Sequence, residues 1–304
     1  MLHEHASPQT LGFARLWVFA LWFHRIALDP FPQLHQAPLE IFHPIGVLRF
    51  LPEPCYAYIF TARTLGIGKG VLLGGLAMLI LGLGPYRWIA SLTCVLLTFH
   101  QGLIRSFGYI NHGELGMLYA AYVLAVFPAA DALALRRGTM TYAPPGMYKA
   151  PMLAVAFILA LTYSFVGVRR LVASAPEIFV DGSILRYVAY NSARGGEAVQ
   201  AYALVILGEA WLTLGLQLGF PLITLCEVLT PLCLISRRWR RVWLGVMVPF
   251  HVLTRLLMNI SFQYNLLLLL VFFTDLGRSF AQRLPPGWWA ADDECSHLNQ
   301  TTHA

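Results

Sequence analysis

The chain has 304 residues, of which 58% are hydrophobic and 12% charged, whereas about 25% of residues are charged in an ordinary soluble domain. This composition, with a mean hydropathy of +0.62, excludes a soluble enzyme with a single anchor and indicates a polytopic membrane protein. The net charge of +6 does not indicate nucleic acid, because most Lys and Arg residues flank apolar segments. That placement favours anchoring at an anionic membrane surface.

The apolar segments predict an all-α, polytopic transmembrane helix bundle of eight or nine spans, since about 20 helical residues cross a bilayer. The expected spans are residues 11–28, 56–84, 87–107, 113–130, 150–168, 198–217, 222–235, 242–259 and 260–276. We therefore expect a transmembrane domain over residues 1–276 and a polar tail over 277–304, in the inner cell membrane. The first span is expected to be retained, because residues 1–10 lack the basic region of a signal peptide.

The connections between these spans carry their own signals. Residues 29–55 hold six prolines and are expected to be extramembrane or interfacial. Residues 171–197 are expected to form a polar connection, and residues 219–221 (Gly-Phe-Pro) a helix break. Glycines spaced four apart in the second span predict close packing of two helices. The basic cluster at 237–241 is expected on the cytoplasmic side.

One stretch, residues 105–119, places Arg105, Asn111, His112 and Glu114 in a turn between apolar segments. Charged groups at membrane depth cost on the order of 2.5 to 3.5 kcal/mol each, so such groups are candidates for function. His112 and Glu114 are two residues apart and would not share a helix face, so no metal site is predicted. Two interpretations remain: Asn111 and Glu114 cap a helix, or His112 performs acid–base chemistry.

Two later segments carry polar stripes. Glu209 begins a stripe with polar residues four and eight positions later, and it is expected to face the bundle interior. His251 and Arg255 lie one helical turn apart in the segment 242–259. Both stripes are candidates for lining a binding site or for structural pairing.

Ion pairing is the structural alternative for these groups. Glu209 and Glu227 are plausible partners for Arg105, Arg170 or Arg255. Pairs of this kind need no substrate, so the sequence leaves both interpretations open.

Several familiar signatures are missing from the sequence. It contains no H-E-x-x-H, no G-x-S-x-G, no dinucleotide fingerprint and no nucleic-acid module. The five cysteines form no CxxC and no zinc spacing, and are expected to be buried thiols. The lack of an internal repeat counts against a transporter built from inverted repeats.

Three groups of motifs occur together along the chain. They are Asn111-His112 with Leu118-Tyr119 and Pro128-x-x-Asp131; Tyr163-Ser-Phe-Val-Gly-Val-Arg-Arg-Leu171 with Asp181-Gly182; and Glu227 with Pro249-Phe250-His251 and Ile260-Ser261-Phe262. Over about residues 10–276 this pattern resembles the membrane part of the vitamin K-dependent gamma-carboxylase family, which is shared with the HTTM domain of bacterial proteins.

The resemblance implies a helix bundle around an intramembrane pocket. In the carboxylases, the second lysine of a K-K-L motif deprotonates reduced vitamin K, and the strong base formed on oxygenation takes a glutamate proton before carbon dioxide adds. Carried over to this chain, His112 is the supporting histidine and Arg170 stands at the lysine position. Arginine stays protonated, so Arg170 is suited to holding an anion and not to accepting a proton.

The expected function is therefore the binding of a lipidic quinone or another amphiphile, with a reduced quinone as candidate cofactor and a carboxylase or lyase-like reaction if the protein is an enzyme. The expected catalytic residues are His112 and Arg170, and the expected substrate-binding residues are Arg169, Arg105, Glu209, Glu227, His251 and Arg255. Expected partners are membrane lipid and a peptide or protein substrate, with no nucleic acid. The alternatives are a non-catalytic membrane factor for peptide maturation or export, and a small transporter.

Overall fold

The computed structural model describes residues 6–108, 113–135, 143–179 and 183–283, without the side chains of 174–179 and 183. The regular secondary structure in these ranges consists of α-helices and short 3₁₀-helices, and no strand occurs there. The α-helices are α1 (Pro8–Leu28), α2 (Glu53–Ile59), α3 (Ala62–Leu81), α4 (Tyr86–Arg105), α5 (Leu115–Val126), α6 (Gly146–Phe179), α7 (Ser183–Ser192), α8 (Glu197–Gly208), α9 (Ala210–Val228), α10 (Leu232–Ile235), α11 (Arg237–Met258), α12 (Gln263–Phe272) and α13 (Leu276–Ala281).

Five helices of the described chain are long and apolar enough to cross a membrane. They are Pro8–Leu28, Ala62–Leu81, Gly146–Ala173, Ala210–Val228 and Arg237–Met258. Three further apolar helices, α5, α8 and α12, have only 10 to 12 residues, and about 17 to 25 are needed for one span. The predicted helical class is confirmed, whereas the predicted count of eight or nine spans is not.

The predicted polar connection over 171–197 is helical over most of its length. Helix α6 continues to Phe179, and α7 covers Ser183–Ser192. Residues 171–175 contain neither Gly nor Pro, so nothing in this part of the sequence ends the helix that begins at Gly146.

The predicted break at 219–221 is wrong. Helix α9 runs through Pro221, and the break lies at Glu209, whose backbone is extended (φ −104°, ψ 115°) between α8 and α9. The Glu209 carbonyl accepts hydrogen bonds from the Leu212 and Thr213 amides and so starts α9. The predicted segments 198–217 and 222–235 therefore correspond to α8, α9 and α10 with shifted boundaries.

The described chain divides into two compact units. The C-terminal unit is Leu153–Phe273, and the N-terminal unit comprises the described residues on either side of that range. In the N-terminal unit α1 packs against α3, α5 and α13, and α4 packs against α3 and α5. Helix α13 places Gly277 against Thr10 and Phe13 of α1; the predicted boundary between a membrane domain and a tail at 276 stays a prediction.

The C-terminal unit is built around α11, which packs against α7, α8, α9, α10 and α12. Its side chains Trp243 and Met247 are fully buried. Asn259 ends α11 in the left-handed conformation (φ 54°), which agrees with the break expected between the last two apolar segments.

The predicted glycine packing face on α3 is wrong within the described chain. A Cβ atom at Gly66, Gly70 or Gly74 would meet nothing within 4 Å. The close approach is one residue further on, where a Cβ at Gly75 would lie 2.6 Å from the Thr93 hydroxyl of α4.

The proline-rich segment folds into short 3₁₀-helices, Phe31–Gln36, Leu39–Ile41 and Gly46–Phe50, followed by α2. Its buried aromatic residues Phe31 and Phe42 form an apolar cluster with Phe60, Leu65 and Leu103. The cluster joins this segment to α3 and α4. The described cysteines, Cys55, Cys94, Cys226 and Cys233, are free thiols, and all but Cys55 are buried.

Candidate functional site

Two polar pairs from α6, α9 and α11 lie in the C-terminal unit. The Tyr163 hydroxyl is 2.7 Å from His251 Nε2, and Arg170 Nη1 donates to Glu227 Oε2 at 2.6 Å. Tyr163, Glu227 and His251 are buried, while Arg170 keeps part of its side chain exposed. We call these four residues the C-terminal polar cluster.

A close approach of two helices positions the Arg170–Glu227 pair. The Ser164 hydroxyl donates to the Val228 carbonyl at 3.1 Å. A Cβ at Gly167 would lie 2.7 Å from Val228 N and 2.9 Å from Glu227 Cβ. Only glycine allows α6 to lie this near the end of α9, and Arg170 follows one helical turn later, beside Glu227.

The end of α9 is fixed by α11. The Trp243 indole N–H lies 3.0 Å from the Cys226 carbonyl and 3.0 Å from the Thr230 hydroxyl. The Thr230 hydroxyl in turn donates to the Glu227 carbonyl at 2.7 Å. The last carbonyls of a helix lack intrahelical partners, so these contacts satisfy them and hold the backbone that carries Glu227.

His251 combines burial with an unused ring nitrogen. Its exposed fraction is 5%, and its Nδ1 atom has no hydrogen-bond partner among the described residues. The ring lies among aromatic groups, with centroid distances of 5.7 Å to Tyr163 and 5.2 Å to Phe262. If Tyr163 donates to Nε2, the neutral ring carries its proton on Nδ1 and can donate it to a bound acceptor.

The N-terminal unit has a second polar group of residues, beginning with Glu114. Its Oε1 accepts a hydrogen bond from Arg25 Nε at 2.8 Å, and its Oε2 lies 3.6 Å from Arg105 Nη2. Glu114 is the N-cap residue of α5, but its side chain makes no capping hydrogen bond. Glu114 therefore lies at the N-terminus of a helix, as the capping interpretation expects, while its side chain forms ion pairs.

Asp29 extends this network. Its Oδ2 lies 3.1 Å from Arg25 Nη1 and 3.6 Å from His100 Nε2, and Lys69 Nζ donates to the Asp29 carbonyl at 2.6 Å. The His100 ring packs on Phe31 with 4.3 Å between centroids. Burial raises the pKa of the Asp29 carboxyl, and the nearby charges of Arg25 and Lys69 oppose that rise. We call Arg25, Asp29, Lys69, His100, Arg105 and Glu114 the N-terminal polar cluster.

One of the predicted ion pairs is present in the structure, and two of the predicted arginines have other partners. The pairing of Glu227 with Arg170 is confirmed. Arg105 pairs with Glu114, and the exposed Arg255 donates to Asn259 at 2.6 Å.

Two other predicted binding residues are exposed. The interior orientation expected for Glu209 is wrong, because the helix break leaves its side chain exposed. Arg169 is exposed as well, on a different side of α6 from its buried neighbour Gly167.

Asn111 and His112 lie outside the described residues, so their predicted roles stay predictions. The resemblance implies one intramembrane pocket, and of the stretches that carry it, 163–170 and 249–262 meet through Tyr163 and His251. The stretch 105–119 belongs to the other unit, and its share in a common pocket stays a prediction.

Sequence reasoning missed several participants. Arg25 and Asp29 are spaced i, i+4, which is a recognisable pairing signal, although they fall on either side of the expected end of the first span at 28. No group of three or more His, Cys, Asp or Glu side chains that could hold a metal ion occurs in the described parts of the chain.

No family model, curated protein or solved structure matches this chain. The resemblance to the gamma-carboxylase and HTTM membrane domains therefore rests on the residues quoted above.

Proposed function

We propose that the protein is a multi-pass protein of the inner cell membrane that binds a lipidic quinone or a similar amphiphile at the C-terminal polar cluster. The observation that carries this proposal is the buried, unpartnered Nδ1 atom of His251. An unpaired buried polar group costs about 1 to 3 kcal/mol, and the carbonyl oxygen of a quinone would remove that cost by accepting the Nδ1 proton.

The surroundings of His251 suit such a ligand. Tyr163 and Phe262 supply aromatic faces beside the imidazole, and a quinone ring is flat and apolar on both faces. Arg170 is partly exposed and keeps further N–H donors beyond the one that it gives to Glu227. A headgroup held by His251 and Arg170 would leave its lipid tail in the bilayer.

The same cluster argues against carboxylase chemistry. Arg170 stands where the resemblance places a basic lysine, an arginine guanidinium is a poor proton acceptor, and this one is paired with Glu227. A base able to deprotonate a quinol is therefore missing at this position. The proposal therefore takes from the resemblance only the membrane helix bundle and the binding of a quinone.

A non-catalytic membrane factor for peptide maturation or export is the second candidate. It is favoured by the same Arg170–Glu227 pair, since a paired arginine stabilises the bundle without any turnover. In that case a bound peptide, and not a quinone, would crosslink to the C-terminal unit when the protein is treated with a membrane-permeant crosslinker in cells.

Titration with decylubiquinone tests quinone binding. The full chain in phosphatidylcholine nanodiscs should show saturable quenching of tryptophan fluorescence, and His251→Leu should weaken the binding at least tenfold because the donor is lost. Tyr163→Phe keeps the ring and should have a smaller effect.

His43→Leu is the matched control. His43 is exposed and lies in the N-terminal unit, so decylubiquinone should bind this variant as it binds the wild type. Equal affinity of wild type and His251→Leu would refute the proposed site.

A further inference from the structure

The last two turns of α4 carry buried donor atoms that have no hydrogen-bond partner among the described residues. His100, Gln101 and Arg105 have exposed fractions of 3%, 4% and 9%. Gln101 Nε2 and Arg105 Nε and Nη2 have no hydrogen-bond partner among the described residues, and neither ring nitrogen of His100 has one. Native proteins leave few buried donors unpaired, so these atoms point to a missing acceptor.

The charges around these donors are unbalanced. Arg25, Lys69 and Arg105 are cationic, and the carboxylates that the described residues place beside them are those of Asp29 and Glu114. The five side chains therefore carry a formal charge of about +1 at pH 7. Arg105 is the buried cation of this group, whereas Arg25 and Lys69 are partly exposed. A buried charge is costly unless it is paired, and one anion bound at Arg105 would balance it.

The free edge of Arg105 has a defined shape. Nε and Nη2 form one side of the planar guanidinium, which binds a carboxylate through two parallel hydrogen bonds. The carboxylate atom Glu114 Oε2 lies 3.6 Å from Nη2, beyond hydrogen-bond distance. Glu114 accepts its hydrogen bond from Arg25, so Nε and Nη2 of Arg105 stay free to bind another carboxylate.

An apolar cluster lies near the same end of α4. Leu103 lies on the same helix and belongs to the apolar cluster with Phe31 and Phe60. Phe31 also packs directly on His100. A ligand here would place a charged head against Arg105 and an apolar body against aromatic side chains.

We propose that the end of α4 binds a carboxylate group, with Arg105 as its two-point partner and Gln101 as a further donor. The site lies wholly in the N-terminal unit and does not depend on quinone binding at the C-terminal polar cluster. The carboxylate could belong to a small soluble acid or to an acyl lipid, and the two sources differ only in the apolar body.

Equilibrium binding to the full chain in phosphatidylcholine nanodiscs tests the site, with radiolabelled acetate and radiolabelled dodecanoate as probes. Saturable binding of both supports a carboxylate site open to small acids, and binding of dodecanoate alone supports a lipidic source. Failure of both probes to bind saturably, as expected if ordered water fills the site, would overturn the proposal. Dodecyl phosphate binding more tightly than dodecanoate would also overturn it.

Two substitutions locate the binding. Arg105→Lys keeps the charge but removes the flat edge, and it should weaken dodecanoate binding at least about tenfold. Gln101→Leu keeps nearly the same side-chain volume and removes an unpaired polar group, so the variant should fold. It should bind dodecanoate several-fold more weakly than the wild type, because one donor is lost.

The matched control is Arg49→Lys, because Arg49 is exposed in the same unit and donates to the Pro44 carbonyl at 3.1 Å. Its dodecanoate affinity should equal that of the wild type. Unchanged affinity in both Arg105→Lys and Gln101→Leu would refute the assignment. Decylubiquinone titration of the same variants should be unaffected, which separates failure of this site from failure of the quinone site.

Discussion

At the scale of single residues, the C-terminal polar cluster depends on one glycine and one ion pair. Gly167 lets α6 approach the end of α9, and Arg170 then reaches Glu227. The sequence predicted the ion pair, because both residues are charged groups in apolar segments. It did not predict the role of Gly167, since a close backbone approach leaves no mark in hydrophobic periodicity.

Replacing Gly167 by Ala should destabilise the protein by about 1 to 3 kcal/mol, because the added methyl overlaps Val228 N and Glu227 Cβ. The measurement is the midpoint of thermal unfolding in detergent. Gly219→Ala on α9 is the control: its Cβ would meet nothing within 4 Å, so this change should be neutral or stabilising by up to about 1 kcal/mol. Equal losses in both variants would contradict the packing argument.

The Arg170–Glu227 pair should show strong coupling in a double-mutant cycle. Arg170→Met alone leaves a buried carboxylate without its partner, and the loss should be on the order of 3 kcal/mol. Removing both charges, with Arg170→Met and Glu227→Leu together, should cost less than the sum of the single changes. Additive losses, measured by chemical unfolding in the same detergent, would show that the pair contributes little.

At the scale of helices, the sequence predicted the first and last long helices well and the middle of the chain poorly. Helices α1 and α4 lie close to the expected segments 11–28 and 87–107. Helix α11 begins earlier than the expected 242, at Arg237, because the basic cluster 237–241 is helical. The break at Glu209 was missed because Pro221 gave a stronger signal, although a proline is tolerated inside a kinked helix. Helix α7 was missed because its polar residues resemble a loop in composition.

The contact between α11 and α9 should depend on the Trp243 indole. Trp243→Phe keeps an aromatic ring but leaves the Cys226 carbonyl without that donor, and the expected destabilisation is about 1 to 3 kcal/mol. The thermal midpoint of unfolding measures it. Trp211→Phe, at an exposed position of α9, should change the midpoint little, and a comparable shift there would argue against a role of the hydrogen bond.

Asp131, in the loop after α5, should make the free energy of unfolding of the N-terminal unit depend on pH in the acid range. Burial raises the pKa of Asp131 above its usual 3.8, while its hydrogen bond from Tyr148 partly opposes this. The native state then binds more protons than the unfolded state, so the contribution of Asp131 to stability is largest below 3.8 and is lost as pH rises through the raised value.

Asp131→Asn cannot titrate and should remove this pH dependence. The unfolding midpoint of the variant relative to wild type should therefore improve as pH increases from about 3.5 to 6. A difference between the two proteins that stays constant over this range would contradict the raised pKa.

At the scale of the whole molecule, composition established the helical class and five long apolar helices support a membrane location. The number of spans was not predictable, because α5, α8 and α12 are apolar but only 10 to 12 residues long. Hydropathy marks a segment as apolar without stating whether it crosses the bilayer. Of the predicted site, the pairing of Glu227 with Arg170 is present, Glu209 is exposed, and the N-terminal polar cluster emerged only from the fold.

The central claim is that the C-terminal polar cluster holds a lipidic quinone or similar amphiphile in the membrane. The most direct measurement is mass spectrometry of the lipids that copurify with the full chain from native membranes. We expect about one quinone or related amphiphile per protein in the wild type and in His43→Leu, and its loss in His251→Leu. Equal retention of that lipid in His251→Leu, or the absence of any specific lipid from the wild type, would contradict the claim.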